Sequence, residues 1–299
     1  SHFSVMTRKT SELFTGGPPV VKRALNIDIK KQDLGDYRIH TYESGVIDNV
    51  AEDEEDAFRQ IRLFLSYLPQ NVWHLPPRIE TGDDPNRRDE ELLSIIPRSS
   101  RKQYDMRQLV RHVVDKDSIF ELSPSYGRSL ITVLARMDGY PVALMANDCK
   151  WDGGAQTPDG CEKMARFVDL ANTFHLPIIY LADVPGFMLG PESEKQGIIR
   201  KSARAIFAVN QSTVPYLSIV VRRQFGVAAF PVRGRPDYRA YYAWPSAEIG
   251  SIPAEGGVTA AYRKEIEASS DPAAKRIEIE NRIKRLGSVL RRANSFIGV

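Results

Sequence analysis

Residues 181–190 read "LADVPGFMLG", and they close an unbroken apolar run from Pro177 to Ala182 with an acid, Asp183, and then the turn pair Pro185-Gly186. A short continuous apolar run that ends on turn residues is the pattern of a strand buried on both faces, as in a parallel sheet. Its neighbours extend that reading. "LITVLARMDGYPVALMAND" (130–148) predicts two strands around Asp138-Gly139, with Tyr140-Pro141 lengthening the loop. A helical pattern follows from Cys161 to Phe174, then the strand ending at Asp183, a second helix from Gly197 to Asn210, and a strand from Pro215 to Val221. Strands that alternate with helices predict an α/β fold, a parallel sheet with helices outside it. Functional loops then lie at the carboxyl ends of the strands, so the loops at Asp183–Phe187 and Arg223–Ala229 are expected to be neighbours.

Further toward the amino terminus, "DEEDAFRQIRLFLSYL" (53–68) predicts an amphipathic helix, with Ala57, Ile61, Phe64, Leu65 and Leu68 on one face and acids in its first turn. Pro69, Pro76, Pro77, Pro85 and Pro97 punctuate the polar region that comes next, which reads as an extended connection between two lobes. The expected division is 1–70, the end of a first lobe; 71–103, the connection; and 104–299, a second lobe.

The 299 residues carry 41 Lys+Arg against 38 Asp+Glu, a formal charge of +3 with both signs mixed along the chain. No basic stripe points to nucleic acid. The locally basic segment from Lys275 to Arg292 is interrupted by Glu278 and Glu280 and reads as a solvated helix face. No apolar stretch approaches the roughly 20 residues that cross a bilayer, so no membrane partner is expected. Cys149 and Cys161 have no metal-ligand spacing and form no disulfide framework, which makes a reducing cytoplasm the default and predicts no metal site.

Nucleophile elbows, zinc motifs, Walker loops and dinucleotide glycines are all missing. His2, His40, His74, His112 and His175 are scattered and read as surface or packing residues. Backbone N–H groups are the alternative chemistry: a strand that runs into a helix through small residues can aim amides at a developing oxyanion, and one such donor is worth about 3–4 kcal/mol. "FGVAAF" (225–230) has that smallness. Its bland reading is close helix packing, just as Pro185-Gly186 can be a simple type II turn; the pairing of both loops on one sheet edge favours a site.

The segment from Ala182 to Phe230, with "DVPGF" (183–187), "GIIRKSA" (197–203) and "FGVAAF", resembles the carboxyl-terminal domain of carboxyltransferase β subunits of biotin-dependent acyl-CoA carboxylases, the propionyl-CoA carboxylase type. "ELFTGGPPVVK" (12–22), "IHTYESGVIDNVAEDEEDA" (39–57), "LLSIIPRSSRKQYDMRQLVRHVVD" (92–115) and "AWPSAEIGSIPAEGGV" (243–258) extend the similarity in the family's order. The resemblance implies two crotonase-like lobes, the first incomplete in this chain, which would then be part of a longer subunit. It implies a ring-shaped hexamer, an acyl-CoA substrate, and carboxybiotin as cofactor on a biotinylated α subunit or carrier protein. Biotin's own ureido nitrogen would take the α proton, and paired main-chain amides would hold the oxyanions.

Matched position by position, Gly226, Val227, Ala228 and Ala229 correspond to the biotin-side oxyanion loop. Asp183, Val184, Pro185, Gly186 and Phe187, together with Gly197, Ile198, Ile199 and Arg200, correspond to loops beside the biotin pocket, and Gly16, Gly17 and Pro18 to a glycine-rich loop near the acyl-CoA. Val227 stands where the family pattern has a second Gly; it keeps its N–H but adds bulk. Ser202 likewise replaces a Gly, and Phe230-Pro231 the usual continuation. The reaction run in reverse, in a biotin-dependent decarboxylase, and a non-catalytic assembly subunit are the alternative readings. The acyl group is not legible, because one methylene is worth only about 1–3 kcal/mol in a pocket.

Overall fold

One seven-stranded sheet carries the loops singled out above. The computed structural model describes residues 2–99, 102–235, 237 and 239–289. In chain order its elements are β1 (Val5–Thr7), α1 (Pro18–Leu25), α2 (Lys31–Gly35), β2 (Asn49–Ala51), α3 (Glu54–Ser66), α4 (Met106–Val113), β3 (Phe120–Glu121), β4 (Leu130–Met137), β5 (Tyr140–Asn147) and α5 (Pro158–Thr173). They continue with β6 (Ile178–Val184), α6 (Pro191–Lys195), α7 (Ile198–Gln211), β7 (Tyr216–Phe225), α8 (Ala229–Arg233), β8 (Arg239–Ala243), β9 (Glu248–Gly250), α9 (Ala254–Ala261), α10 (Arg263–Glu267) and α11 (Pro272–Gly287).

The strand order is β3-β4-β5-β6-β7-β8, with β9 also paired to β7. The β3-β4-β5 part is antiparallel and everything from β5 to β9 is parallel. All seven residues of β6 are buried, as its unbroken apolar run requires of a central strand. Helices α5 and α7 pack Met164, Val168, Ala205 and Val209 against one face, over Leu130, Tyr180 and Val220. Helix α4 packs Met106, Leu109 and Val110 against the other, over Ile131, Leu144 and Leu181. Two of these helices have side-chain caps, Thr157 for α5 and Asp105 for α4.

Two local expectations are corrected. Met137 pairs with Tyr140, so the hairpin turn is the two residues Asp138-Gly139 alone and Tyr140-Pro141 already belong to β5. Both turn residues have positive φ, 50° and 76°, the condition for the turn that matches strand twist. On α3 and the turn after it, Phe64 and Leu68 are buried as expected, but Ile61 and Leu65 are exposed and Gln60 and Tyr67 are buried beside them. The helix is rotated because Gln60 reaches the Val50 carbonyl of β2 and the Asn49 side chain, at 3.0 and 3.2 Å.

Several residues between 71 and 99 are moored to neighbouring parts of the chain. The Ile79 amide donates to the Gly139 carbonyl at 3.2 Å, Arg78 pairs with Asp138 at 2.6 Å, and His112 lies 2.7 Å from both Asp89 and Glu91. His40 and His175 contact the carbonyls of Leu13 and Val72, each at 2.6 Å, so these histidines act as tethers. Along α11, Lys275 pairs with Glu278 and Glu265, and Arg276 with Glu280; residues 290–292 of the basic segment lie outside the described residues. Both cysteines are free and buried, and burial pushes the Cys161 thiol up to about 12.

Candidate active site at the tips of two parallel strands

Strands β6 and β7 are direct parallel neighbours, so the loops that leave their carboxyl ends emerge side by side. Strand β7 runs to Phe225, four residues beyond the predicted end, and passes into a single tight turn, Gly226–Ala228, before α8 begins. Gly226 has φ 62°, a left-handed value that a side chain resists, and a Cβ added there would meet only the Ser251 carbonyl, at 3.6 Å. The Ala229 amide closes the turn on the Gly226 and Val227 carbonyls. Pairing three residues apart aims the Ala228 amide at the Phe225 carbonyl and leaves the Val227 amide, ahead of the first such bond, with no acceptor inside the turn.

The sequence reading paired Val227 with Ala228, and both lie in this turn. Val227 is 59% exposed, whereas Ala228 and Ala229 are buried and anchor the turn in the core. Gln224 braces the turn from behind: its Nε2 donates to the Ala229 carbonyl at 3.3 Å, and its Oε1 accepts from the Tyr241 hydroxyl. Beside the turn, a cavity of about 310 Å³ is lined by Phe225, Gly250 and Ser251, with Tyr262 and Ile283 on its far side.

The β6 tip is built differently. Asp183 is fully buried, with its carboxylate facing inward. Its Oδ2 accepts from Arg222 Nε and Nη2 at 3.0 and 2.8 Å and from the Tyr104 hydroxyl at 3.1 Å, and its Oδ1 accepts from Arg223 Nε at 2.7 Å. Burial acts against the Arg222 charge, yet Asp183 more than offsets it and raises the guanidinium above its ordinary value. Burial holds the Tyr104 phenol far above the usual range.

Past Asp183, Gly186 has φ 149°, well away from the roughly +80° of a type II turn, so that plain reading of Pro185-Gly186 does not hold. The loop is pinned to Gln156 instead: the Gln156 amide donates to the Gly186 carbonyl at 3.0 Å, and the Met188 amide to the Gln156 carbonyl at 2.9 Å. Gln156 Oε1 is buried without a hydrogen-bond partner among the described residues.

Gly197, at φ 78°, opens α7 without a side-chain cap, with Ile198 buried and Ile199 and Arg200 exposed. Ser202, which stands where the family pattern has a glycine, donates to the Ile199 carbonyl of its own helix at 3.0 Å. Gly16, Gly17 and Pro18 lead into α1, outside the main sheet, and among the described residues no hydrogen bond joins them to the strand tips. Tyr104, Arg222 and Gln156 were missed by sequence reasoning, and Arg223 and Gln224 were named only as part of the loop 223–229. Only the doublet Arg222-Arg223 at the end of a buried strand carried a signal.

Among the described residues no cluster of His, Cys, Asp or Glu fits a metal ion, and no helix is long and apolar enough to cross a membrane. The model of the carboxyl transferase domain matches residues 1–295. The chain belongs to the carboxyl transferase domain family. It is 37% identical over 279 residues to the carboxyltransferase subunit of propionyl-CoA carboxylase from Haloferax mediterranei, covering 93% of this chain and 54% of that one. It is 35% identical over 265 residues to the methylmalonyl-CoA decarboxylase subunit alpha of Veillonella parvula, covering 88% and 52%. The solved transcarboxylase 12S, a hexamer with methylmalonyl-CoA bound, superposes with a TM-score of 0.91 at 33% identity over 100% of this chain and 57% of its own. The fold is therefore the crotonase-like α/β fold of those subunits, and the chain spans about half the length of the curated relatives it matches.

Proposed function

We propose that this chain forms the biotin side of a biotin-dependent carboxyltransferase, which moves a carboxyl group between carboxybiotin on a carrier protein and the α carbon of an acyl-CoA. The observation that carries the reading is the turn at the tip of β7, where the hydrogen-bond pattern gives the amide of the exposed residue Val227 no acceptor within the turn. When bound, biotin supplies the carboxyl group and, at its ureido nitrogen, the base for the α proton.

The donor set suits such a group. A ureido oxygen is uncharged at rest and asks for neutral N–H donors at close range, and the missing Cβ of Gly226 keeps the approach open. Gln224 and the buried Ala228 and Ala229 hold the donor in place, so little reorganisation accompanies the growth of negative charge. Pro185, Gly186 and Phe187 would form the wall beside it, with Gly197 to Arg200 at the rim. Gly16, Gly17 and Pro18 are assigned to the acyl-CoA side.

Partners follow from the chemistry: a biotinylated α subunit or carrier protein, and further copies of the same subunit. Leu93 and Leu189, 90% and 85% exposed, support burial in an assembly, for which the hexamer of the transcarboxylase 12S is the template. Two buried free thiols suit a reducing cytoplasm.

The test is transfer of labelled carboxyl from free carboxybiotin to acetyl-, propionyl- and longer acyl-CoA esters by the full-length protein. Transfer to at least one ester is expected; none to any, with the protein folded, leaves an assembly subunit as the better account. The similarity to the Veillonella decarboxylase subunit favours a second reading, in which carboxyl flows from an acyl-CoA to biotin. Copurification with an ATP-dependent biotin carboxylase supports the first direction, and with a membrane-bound sodium pump the second.

A further inference from the structure

The structure assigns a role to the one fully buried acid at the strand tips: we propose that Asp183 is a positioning residue whose charge locks the ends of β6 and β7 together and so sets the placement of the Gly226–Ala228 turn. The inference deepens the proposed function and rests on it, but it moves Asp183 from the ligand pocket to the framework behind it.

The register makes the argument. Ala182 pairs with Val220 and Val184 with Gln224, so between these pairs β6 contributes Asp183 alone while β7 contributes Val221, Arg222 and Arg223. Consecutive side chains of a regular strand point to opposite faces. The bulge removes that alternation, and both guanidiniums converge on one carboxylate, Arg222 on Oδ2 and Arg223 on Oδ1. Each arginine then carries the lock outward. Arg222 Nη1 donates to the Lys102 carbonyl at 2.7 Å, and Arg223 Nη2 to the Gly153 carbonyl at 2.6 Å. Asn147 accepts from the Asp183 amide at 3.2 Å and donates to the Gly154 carbonyl, also at 3.2 Å.

With Oδ2 accepting from Arg222 and Tyr104, Oδ1 accepting from Arg223, and no exposure to solvent, the carboxylate has no path to a substrate. Its effect reaches the chemistry through the backbone: Arg223 and the donor Val227 are separated by only Gln224, Phe225 and Gly226. A misplacement of about 1 Å in such a donor can lower turnover about 10²-fold.

Arg223 is the serviceable handle, because its side chain is 16% exposed and its loss leaves the Arg222–Asp183 pair in place. Arg223→Met and Arg223→Lys are compared with wild type in two measurements. In hydrogen exchange on the chain itself, Arg223→Met is expected to accelerate exchange in peptides covering 184–187 and 226–229 and to leave those of β4 and α5 unchanged, with Arg223→Lys between. In carboxyl transfer by the full-length protein, Arg223→Met is expected to lower kcat by about tenfold or more with KM for both substrates within about threefold, and Arg223→Lys to recover part of the loss.

Unchanged exchange at both tips overturns the proposal. So does a loss confined to KM, which would make Arg223 a ligand contact in the adjoining cavity of about 800 Å³ that it borders. An inactive wild type with the expected exchange pattern removes the functional reading alone and leaves the lock standing.

Discussion

Replacing Val227 with proline deletes its N–H. Proline fixes φ near −65°, within the range of a tight helical turn, and at the start of such a turn it forfeits no internal hydrogen bond. Val227 is 59% exposed, so the new ring displaces no core packing, and any stability lost through the restriction that proline places on Gly226 is read separately by unfolding. Catalysis is another matter. A single preorganised donor to a developing oxyanion is worth about 2.7–4 kcal/mol, or about 10²–10³ in kcat. The assay is carboxyl transfer from carboxybiotin by the full-length protein, with urea unfolding run in parallel. Val227→Gly, which keeps the N–H and restores the family residue, is the control and is expected to remain active. A folded Val227→Pro variant with kcat within about threefold of wild type, less than about 0.7 kcal/mol, refutes the assignment of this amide as the donor.

Other consequences concern the framework. Asp183→Ala strands two guanidiniums, one of them nearly inaccessible, and is expected to cost about 3–5 kcal/mol in urea unfolding; a loss below about 1 kcal/mol contradicts the lock. Lys163 is buried with its Nζ donating to the carbonyls of Ser123, Tyr126 and Leu130 at 2.7–2.9 Å, and burial pushes its ammonium down to about 7. From about pH 7 up to the ordinary lysine value the unfolded chain keeps a proton that the folded chain has released, so Lys163 makes stability rise with pH, by at most about 1.4 kcal/mol per unit. The difference in urea midpoint between wild type and Lys163→Met, followed from pH 7 to pH 9, is expected to grow in favour of wild type; a flat difference argues against it. Gly139→Ala would place a methyl 1.8 Å from the Ile79 carbonyl at φ 76°. It is expected to destabilise the protein and to release the connection around residue 79 to proteolysis; unchanged protease resistance counts against that mooring.

What the sequence disclosed and what it hid divide along physical lines. The apolar run before Asp183 and the alternation of helix and strand are local patterns, and they predicted β6, β7 and the adjacency of their tips. The lock around Asp183 is not local: Tyr104 is 79 residues away, and the convergence of two consecutive arginines depends on a bulge that no period-2 pattern announces. Gln156, which pins the Gly186 loop through its backbone, leaves no side-chain signature at all. The α3 face was misread for a similar reason, since a polar residue, Gln60, turns inward to satisfy β2 while Ile61 and Leu65 face out. The proposal of Val227 over Ala228 as the donor rests on the hydrogen-bond pattern of the turn, which the sequence does not display.

Titration of biotin into protein labelled with ¹⁵N-valine reads the proposed contact at its own atom. The account predicts a saturable downfield movement of the Val227 amide proton as the ureido oxygen accepts from it, with core valines such as Val133 and Val168 unmoved. Saturable biotin binding that leaves the Val227 resonance in place would contradict it.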